Sequence, residues 1–112
     1  MLVVTTPTVE GMPVKQYIGM VSGETIVGVN MLKDLAAGRA SSYENEIANA
    51  SRTAVNEMCT RAQSMGANAV VSVHVDYFTT VVGVYVDYFT GRADDTMNAM
   101  LAAIATGTAV VL

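Results

Sequence analysis

Residues 41–66 read SSYENEIANASRTAVNEMCTRAQSMG and carry the strongest structural signal in the chain. Ser41 precedes Glu44 by three residues, the spacing of an N-terminal capping box. Small and apolar residues then recur at steps of three and four, the period of one helix face: Tyr43, Ile47, Ala50, Ala54, Met58, Ala62 and Met65. Gly66 follows, where a left-handed glycine commonly ends a helix. The pattern predicts a helix from about Ser42 to Met65 whose alanine-rich stripe packs closely on a sheet.

The segments on both sides of this helix have the composition of strands. LVVTT at Leu2–Thr6 is rich in β-branched residues, and KQYIGMVSGETIVGVN at Lys15–Asn30 alternates loosely. Gly19 and Gly23 inside the second segment predict a bulge or a close backbone approach. Residues 96–105 are ambiguous, because their first half has helix-forming residues at helical steps. The order of elements predicts one α+β domain over 1–112, a mainly antiparallel sheet packed against one long helix.

A seven-residue phrase occurs twice after the helix. VHVDYFT at Val73–Thr79 and VYVDYFT at Val84–Thr90 differ only at His74 against Tyr85. Regular alternation along the first strand predicts two faces, one with Val71, Val73, Val75 and Tyr77, the other with Val70, Ser72, His74, Asp76 and Phe78. The repeat predicts a hairpin that turns near Thr79–Thr80, with its two copies on neighbouring strands and a mainly structural role.

The composition limits the classes of partner. The chain is 52% hydrophobic and 14% charged, and a domain of 112 residues buries only part of its apolar surface by itself. We therefore expect a homo-oligomer. The net charge of −4 and the absence of a basic run argue against nucleic acid or an anionic membrane as the main partner. One cysteine and a start unlike a signal peptide predict a cytoplasmic protein.

Ordered stretches along most of the chain resemble the YbjQ-like family of small bacterial proteins. The stretches are TTPTVEG at Thr5–Gly11, YIGMVSGETIVGVN at Tyr17–Asn30, KDL at Lys33–Leu35, GRASSYENEI at Gly38–Ile47, MGANAVVSVHVDY at Met65–Tyr77 and TGTAVV at Thr106–Val111. The resemblance implies a two-layer sandwich like the dodecin subunit. It also implies a ring-shaped homo-oligomer, most often a pentamer, joined by strand pairing, and a heavy-metal-binding label without an established reaction.

This chain departs from the family pattern at two places. Only AA lies between its KDL and GR stretches, where the family has a longer segment. The second VDYFT copy also has no counterpart in the family pattern. Surfaces built from these two connections are therefore not inferred from the resemblance.

Cys59 is the chain's single thiol. A cysteine in mid-helix beside Met58 is typical of a small buried hydrophobe. Thiolate metal sites use several soft ligands, so Cys59 would ligate a metal only where oligomerisation brings copies together. Burial is the favoured reading, and a ligand role is the alternative.

His74 and Asp76 are two residues apart on a predicted strand, so their side chains point the same way. That spacing can hold a metal ion or let a carboxylate orient an imidazole. It is equally typical of an exposed or interfacial strand face. Two ligands do not make a metal site by themselves, and a ring of five or more such pairs would strengthen the metal interpretation.

Glu24 is the one acid set among apolar strand residues. A carboxylate there should be paired, and Lys15, Lys33 and Arg39 are the candidate partners. A structural or intersubunit ion pair is favoured over a catalytic acid. Glu44 already has a structural role as the acid of the capping box.

These observations favour a binding or structural function over catalysis. The expected protein is a homo-oligomer that holds a ligand or a divalent or heavy-metal ion between subunits. The enzyme alternative places Glu24, His74 and Asp76 within hydrogen-bond reach in an intersubunit cleft. The third alternative is a purely structural interaction module, with an extensive interface and no polar pocket.

Overall fold

The computed structural model describes residues 1–29, 40–83, 86–87, 92–93 and 98–112. Its elements, in chain order, are β1 (Leu2–Val3), β2 (Gln16–Val29), α1 (Ala40–Ser64), β3 (Ala69–Gly83), β4 (Val86–Asp87), β5 (Arg92–Ala93) and β6 (Asn98–Val111). The main sheet has the order β1-β3-β6-β2, in which only β1 and β3 run parallel. Helix α1 packs across one face, mainly on β2 and β6. The predicted α+β architecture is confirmed.

The central strand of this sheet is β6, in the region whose sequence was ambiguous. It pairs with β2 on one side and β3 on the other along nearly its whole length. The structure decides between helix and strand in favour of a strand from Asn98 onward; residues 96–97 lie outside the described part. Two ladders of hydrogen bonds and burial outweigh the helix propensity of alanine, leucine and methionine.

Burial on β6 alternates between the two faces of the sheet from Met100 to Ala109. Leu101, Ala103, Ala105 and Ala109 are buried under α1, whereas Ala102 and Ile104 on the other face are only half-buried. The helix contributes buried residues at steps of four: Ala50, Ala54, Met58 and Ala62. The core therefore lies between α1 and the β2–β6 pair, and its small side chains allow the helix to pack closely.

Gly23 marks the closest approach of helix and sheet. A Cβ at this position would collide with the main-chain carbonyl oxygen of Ala54 and the amide nitrogen of Met58. The predicted close approach is confirmed at Gly23. The predicted bulge is confirmed at Gly19, where the β2–β6 register shifts and φ is 155°.

Helix α1 begins at Ala40 and ends at Ser64. The described helix therefore starts two residues before the predicted Ser42, and the capping role of Ser41 and Glu44 stays a prediction. At the other end Gly66 has a φ of 93°. Its amide donates to the carbonyl of Gln63, and the amide of Ala67 donates to that of Ala62. These are the paired bonds of a Schellman cap, so the prediction for Gly66 is confirmed.

The repeated phrase is divided between two sheets. β3 continues through Thr79–Thr80 to Gly83 and pairs there with β6. The predicted turn at Thr79–Thr80 is therefore wrong. Within the described part of the second copy, Val86–Asp87 pairs with Arg92–Ala93 in a separate two-stranded sheet. The first copy continues as a straight strand because its antiparallel partner is β6 and not the second copy.

The N-terminal segment covers one end of the sheet face opposite α1. Ala69, Val71 and Val110 are buried there under partly buried side chains from outside the sheet: Val4, Val9, Val14 and Leu112. The rest of that face is uncovered within the described chain. The principal dimensions are 65 × 24 × 18 Å, so the protomer is long and thin. In the described ranges, no helix combines the length and apolarity needed to cross a membrane.

Candidate functional site

A bulge in β3 sets the direction of the candidate ligands. Val71 pairs with Thr108 and His74 with Thr106, so β3 contains one extra residue at this point. Ser72 there has a φ of 53°, a left-handed conformation unusual for a residue with a side chain. The N-terminal segment holds the distortion, since the Ser72 amide donates to the Thr6 carbonyl at 2.9 Å.

The bulge reverses the predicted alternation. Val70, Val73 and Val75 pack into the core under α1, whereas Val71 belongs to the cluster on the opposite face. The prediction that Val71 shares a face with Val73 and Val75 is therefore wrong. His74 and Asp76 lie on the face opposite the helix, although Val70 before them lies under it. Regular alternation cannot reveal a one-residue bulge, which depends on the contact with Thr6.

His74 and Asp76 form a hydrogen-bonded pair on this face. His74 Nε2 lies 2.8 Å from Asp76 Oδ1, and the two side chains are 69% and 54% exposed. The prediction that the side chains point the same way is confirmed. The carboxylate can orient the imidazole, and both groups remain accessible to an incoming ligand.

Glu24 lies on the same face but is already bound. It pairs in register with Ile104, which also stands opposite Asp76, so one strand separates the two acids. Its carboxylate oxygens accept from Arg61 Nη1 and Nη2 at 3.1 and 3.0 Å. Because β2 is an edge strand, the guanidinium can reach Glu24 from the helix side. An ion pair was predicted, but its partner is Arg61.

Arg61 is the polar link that sequence reasoning missed. Besides binding Glu24, its Nη1 donates to the Ser22 carbonyl at 2.9 Å and its Nη2 to Glu57 at 2.7 Å. The hydrogen bonds and charge of Arg61 lower the pKa of Glu24 below its ordinary value of 4.5. The hydrogen bond with Glu24 also raises the pKa of Arg61. The Glu57–Arg61 spacing of four was visible in the helix; the contact with β2 was not.

Cys59 lies on α1, the element that packs on the opposite face from His74 and Asp76. Its side chain is partly buried, and that burial raises the pKa of the thiol. A raised pKa keeps the sulfur protonated near neutral pH, where the thiolate would be the metal ligand. The structure does not bring Cys59 together with the His74–Asp76 pair.

The described part of one chain brings together too few metal-binding side chains to complete a metal site. In the described ranges, no group of three or more His, Cys, Asp and Glu side chains is placed to hold an ion. Soft heavy metals prefer several thiolates, and the chain has one cysteine. The imidazole and carboxylate of His74 and Asp76 suit a borderline divalent ion such as Zn²⁺ better.

Large apolar side chains share the sheet face of the pair. We call this surface the open face; it consists of Met20, Ile26, Phe78, Met100 and Ile104 together with His74 and Asp76. Met20 is 84% exposed, Ile26 65% and Phe78 53%. Contiguous apolar patches on a protein surface commonly mark interaction sites.

Comparison with known proteins places the chain in a family. A family model described as "Putative heavy-metal-binding" matches residues 1–112. The chain belongs to this family, YbjQ_1. A UPF0145 protein of Anoxybacillus flavithermus is 40% identical over 119 residues, covering 100% of this chain and 98% of the relative. A UPF0145 protein of Corynebacterium jeikeium is 50% identical over 84 residues, covering 69% of this chain and 80% of the relative.

A solved structure has the same fold. It is a protein of unknown function from Pediococcus pentosaceus, assigned to the DUF74 family. The TM-score is 0.59 at 13% sequence identity, over 100% of this chain and 97% of the other. At that identity the likeness establishes the fold of the YbjQ-family chain and leaves its site to be argued from its own residues.

Proposed function

We propose that this YbjQ-family chain is a non-catalytic, homo-oligomeric protein that binds a metal ion or small ligand where its copies meet. The observation that carries the proposal is the open face, which exposes large apolar side chains around two groups able to bind a ligand. A second copy would cover the apolar side chains, and the same contact would enclose the His74–Asp76 pair.

Unpaired strand edges support association by strand pairing. β1 and residues 4–6 cover the outer edge of β3 as far as Val73. Beyond Val73, the described strands give β3 no partner on that side. β2 is the other edge, but Arg61 already occupies the Ser22 carbonyl. Charged groups at an edge discourage pairing. We therefore propose that residues 74–83 of β3 pair with a part of a neighbour's β2 away from Ser22, because a closed ring joins two different edges; the pentamer is the expected number.

The contacts of Glu24 favour binding over catalysis. The enzyme alternative needs Glu24, His74 and Asp76 to converge with a free carboxylate. Both oxygens of Glu24 are engaged by Arg61, and Glu24 is separated from Asp76 by the width of β6. Such a bidentate pair joins the helix to the edge strand, which is a structural role.

Light scattering during size-exclusion chromatography tests the assembly. We expect the tag-free chain to elute as an oligomer and the Met20→Asp variant to dissociate, because a charge on the open face would have to be buried. Met12→Asp is the matched control. Met12 is also an exposed methionine, at 48%, but lies in the N-terminal segment. A monomeric wild-type chain at micromolar concentration would refute the proposal of a stable assembly.

Elemental analysis and calorimetry with zinc, copper and nickel salts test the ligand. Stoichiometric binding to the oligomer is expected for the metal version of the proposal. An oligomer that takes up none of these ions contradicts that version and leaves a small molecule as the ligand.

A further inference from the structure

We infer that neighbouring copies join through a parallel ladder of hydrogen bonds between β3 of one copy and β2 of the next, and that Arg61 decides where this ladder stops. The inference rests on the proposed function, because it requires copies that pair edge to edge in a closed ring. It goes further by naming the direction of the strands at the contact and the residue that limits their pairing.

The direction of the contact follows from the order of strands within one copy. β2 and β3 both run antiparallel to β6, so they run in the same direction as each other. A rotation about the axis of a ring carries β3 of one copy to the side of β2 of the next without inverting it. The two strands must therefore pair in parallel. A two-fold axis would instead extend the sheet through two like strands that run antiparallel.

Free backbone groups on the outer side of β3 begin after Val73. The Val73 amide donates to the Val4 carbonyl, so the backbone groups of Val73 point to that side. Successive residues of a strand direct these groups alternately to its two sides. Val75, Tyr77 and Thr79 therefore present theirs to the outer side, where the described strands give them no partner. These are the donors and acceptors that a neighbouring β2 can use.

Arg61 closes the outer side of β2 at one point. Its Nη1 donates to the Ser22 carbonyl at 2.9 Å, so the backbone groups of Ser22 point to the outer side of the strand. The guanidinium is fixed there, because Glu24 accepts from both of its Nη atoms and Glu57 accepts from Nη2. An incoming strand would meet an occupied carbonyl and a charged side chain. The ladder must therefore lie wholly on one side of Ser22.

A stop of this kind restricts a strand as long as β2. This edge strand has 14 residues, from Gln16 to Val29. A long open edge can pair with other copies in several registers, and natural proteins limit such pairing with charged side chains at the edge. By dividing the edge at Ser22, Arg61 leaves only shorter stretches available. Arg61 is therefore a residue that determines the specificity of the assembly.

Nuclear Overhauser effects between differently labelled copies test the direction. The oligomer is assembled from two batches of the tag-free chain with different isotope labels, so that only contacts between copies are detected. We expect the amide protons of Val75, Tyr77 and Thr79 to lie close to β2 of another copy, without the close Hα–Hα contacts of an antiparallel ladder. Contacts between two β3 strands, close Hα–Hα contacts, or a ladder that runs across Ser22 would overturn the inference.

Substitution of Arg61 tests its role as the stop. We expect light scattering to show a higher average mass for Arg61→Met than for the wild type, because β2 is then open along its whole length. Arg52→Met is the matched control, since Arg52 is an exposed arginine of the same helix, and its mass should be that of the wild type. An Arg61→Met oligomer of wild-type mass, or one that dissociates, contradicts this role. Circular dichroism checks the fold of both variants, and the test of direction needs only the wild type.

The proposed function and the parallel ladder fail in different ways. A monomeric wild type refutes the assembly and the ladder together. A stable oligomer whose contacts are antiparallel, or join like strands, refutes the ladder and leaves a homo-oligomer in place. An oligomer that binds no ligand refutes the binding part of the proposed function and leaves the ladder intact.

Discussion

Gly23 shows how one residue sets the distance between layers. The main chain of α1 passes directly over it, so the missing side chain is what allows helix and sheet to touch. The facing residues Ala54 and Met58 are completely buried. Neither contact can move aside as a flexible side chain would, because both collisions involve helix backbone.

We expect Gly23→Ala to lower the free energy of unfolding by at least about 1–3 kcal/mol, the range for overpacked cores. The added methyl group must push α1 away from β2. Denaturation by guanidinium chloride measures the change. Ser22→Ala is the matched control, since it alters the neighbouring residue without adding an atom at the contact. Equal stability of Gly23→Ala and wild type would show that the helix is not held this closely.

Ser72 is the opposite case to Gly23. It has a side chain, but its backbone is in a left-handed conformation that glycine adopts more easily. Its conformation is fixed by the bond to Thr6 and by the neighbouring bond from the Val73 amide to the Val4 carbonyl. A left-handed residue costs roughly 1–2 kcal/mol, which these contacts must offset. The N-terminal segment therefore helps to orient His74 and Asp76 through its bonds to the residues just before them.

At the scale of elements, Arg61 joins the last turn of α1 to edge strand β2. It binds the carboxylate of Glu24 and the main chain at Ser22. Arg61 and Glu24 are 42% and 51% exposed, so solvent screens their attraction. The main effect of the link is to fix how the helix ends over the edge and to cover one backbone carbonyl there.

The Glu24–Arg61 link should make stability depend on pH. The folded pKa of Glu24 lies below its unfolded value, so the ionised carboxylate stabilises the folded state. That contribution is complete above the ordinary value of 4.5 and is lost as the pH falls through the lowered folded pKa. We expect Glu24→Gln to be less stable than wild type at pH 7, with the difference vanishing in acid.

Urea denaturation of wild type and Glu24→Gln across this pH range measures the effect. Glu10→Gln, in the N-terminal segment, controls for the loss of one negative charge. The difference at pH 7 should also shrink at high salt. A difference that stays constant down to the acid limit would mean that Glu24 acts through packing and not through charge.

The protomer is more extended than a compact domain of the same length. Its radius of gyration is 19.0 Å, whereas a compact domain of this length has about 13 Å. The most exposed side chains of the open face, Met20, Ile26 and Phe78, would each contribute about 1.5–3 kcal/mol on full burial. Association itself costs about 4–15 kcal/mol. Counted over two copies, the apolar burial is therefore comparable in size to the cost of association.

We expect the melting temperature of the wild type to rise with protein concentration, because association stabilises the folded chain by mass action. Scanning calorimetry over a hundredfold range of concentration measures this dependence. The dissociated Met20→Asp variant should melt at a temperature that is independent of concentration. If the melting temperature of the wild type does not change with protein concentration, association contributes nothing to the stability of the folded chain.

The sequence by itself determined the structural features that depend only on residues close together in the chain. The helix and its cap at Gly66, the bulge at Gly19 and the shared direction of His74 and Asp76 all follow from local spacing and backbone preference. Gly23 was also anticipated, since a glycine inside a strand often marks a close contact. These signals act over a few residues, so they can be read along the chain.

Only the tertiary structure decided the features that depend on distant partners. Residues 98–107 are a strand because β2 and β3 pair with both of their edges. β3 passes Thr79–Thr80 without turning because β6 lies beside it, and the Ser72 bulge forms against Thr6. Glu24 binds Arg61, which is 37 residues away. Each of these outcomes arises from contacts between segments that are far apart in the chain, and local propensity contains no information about them.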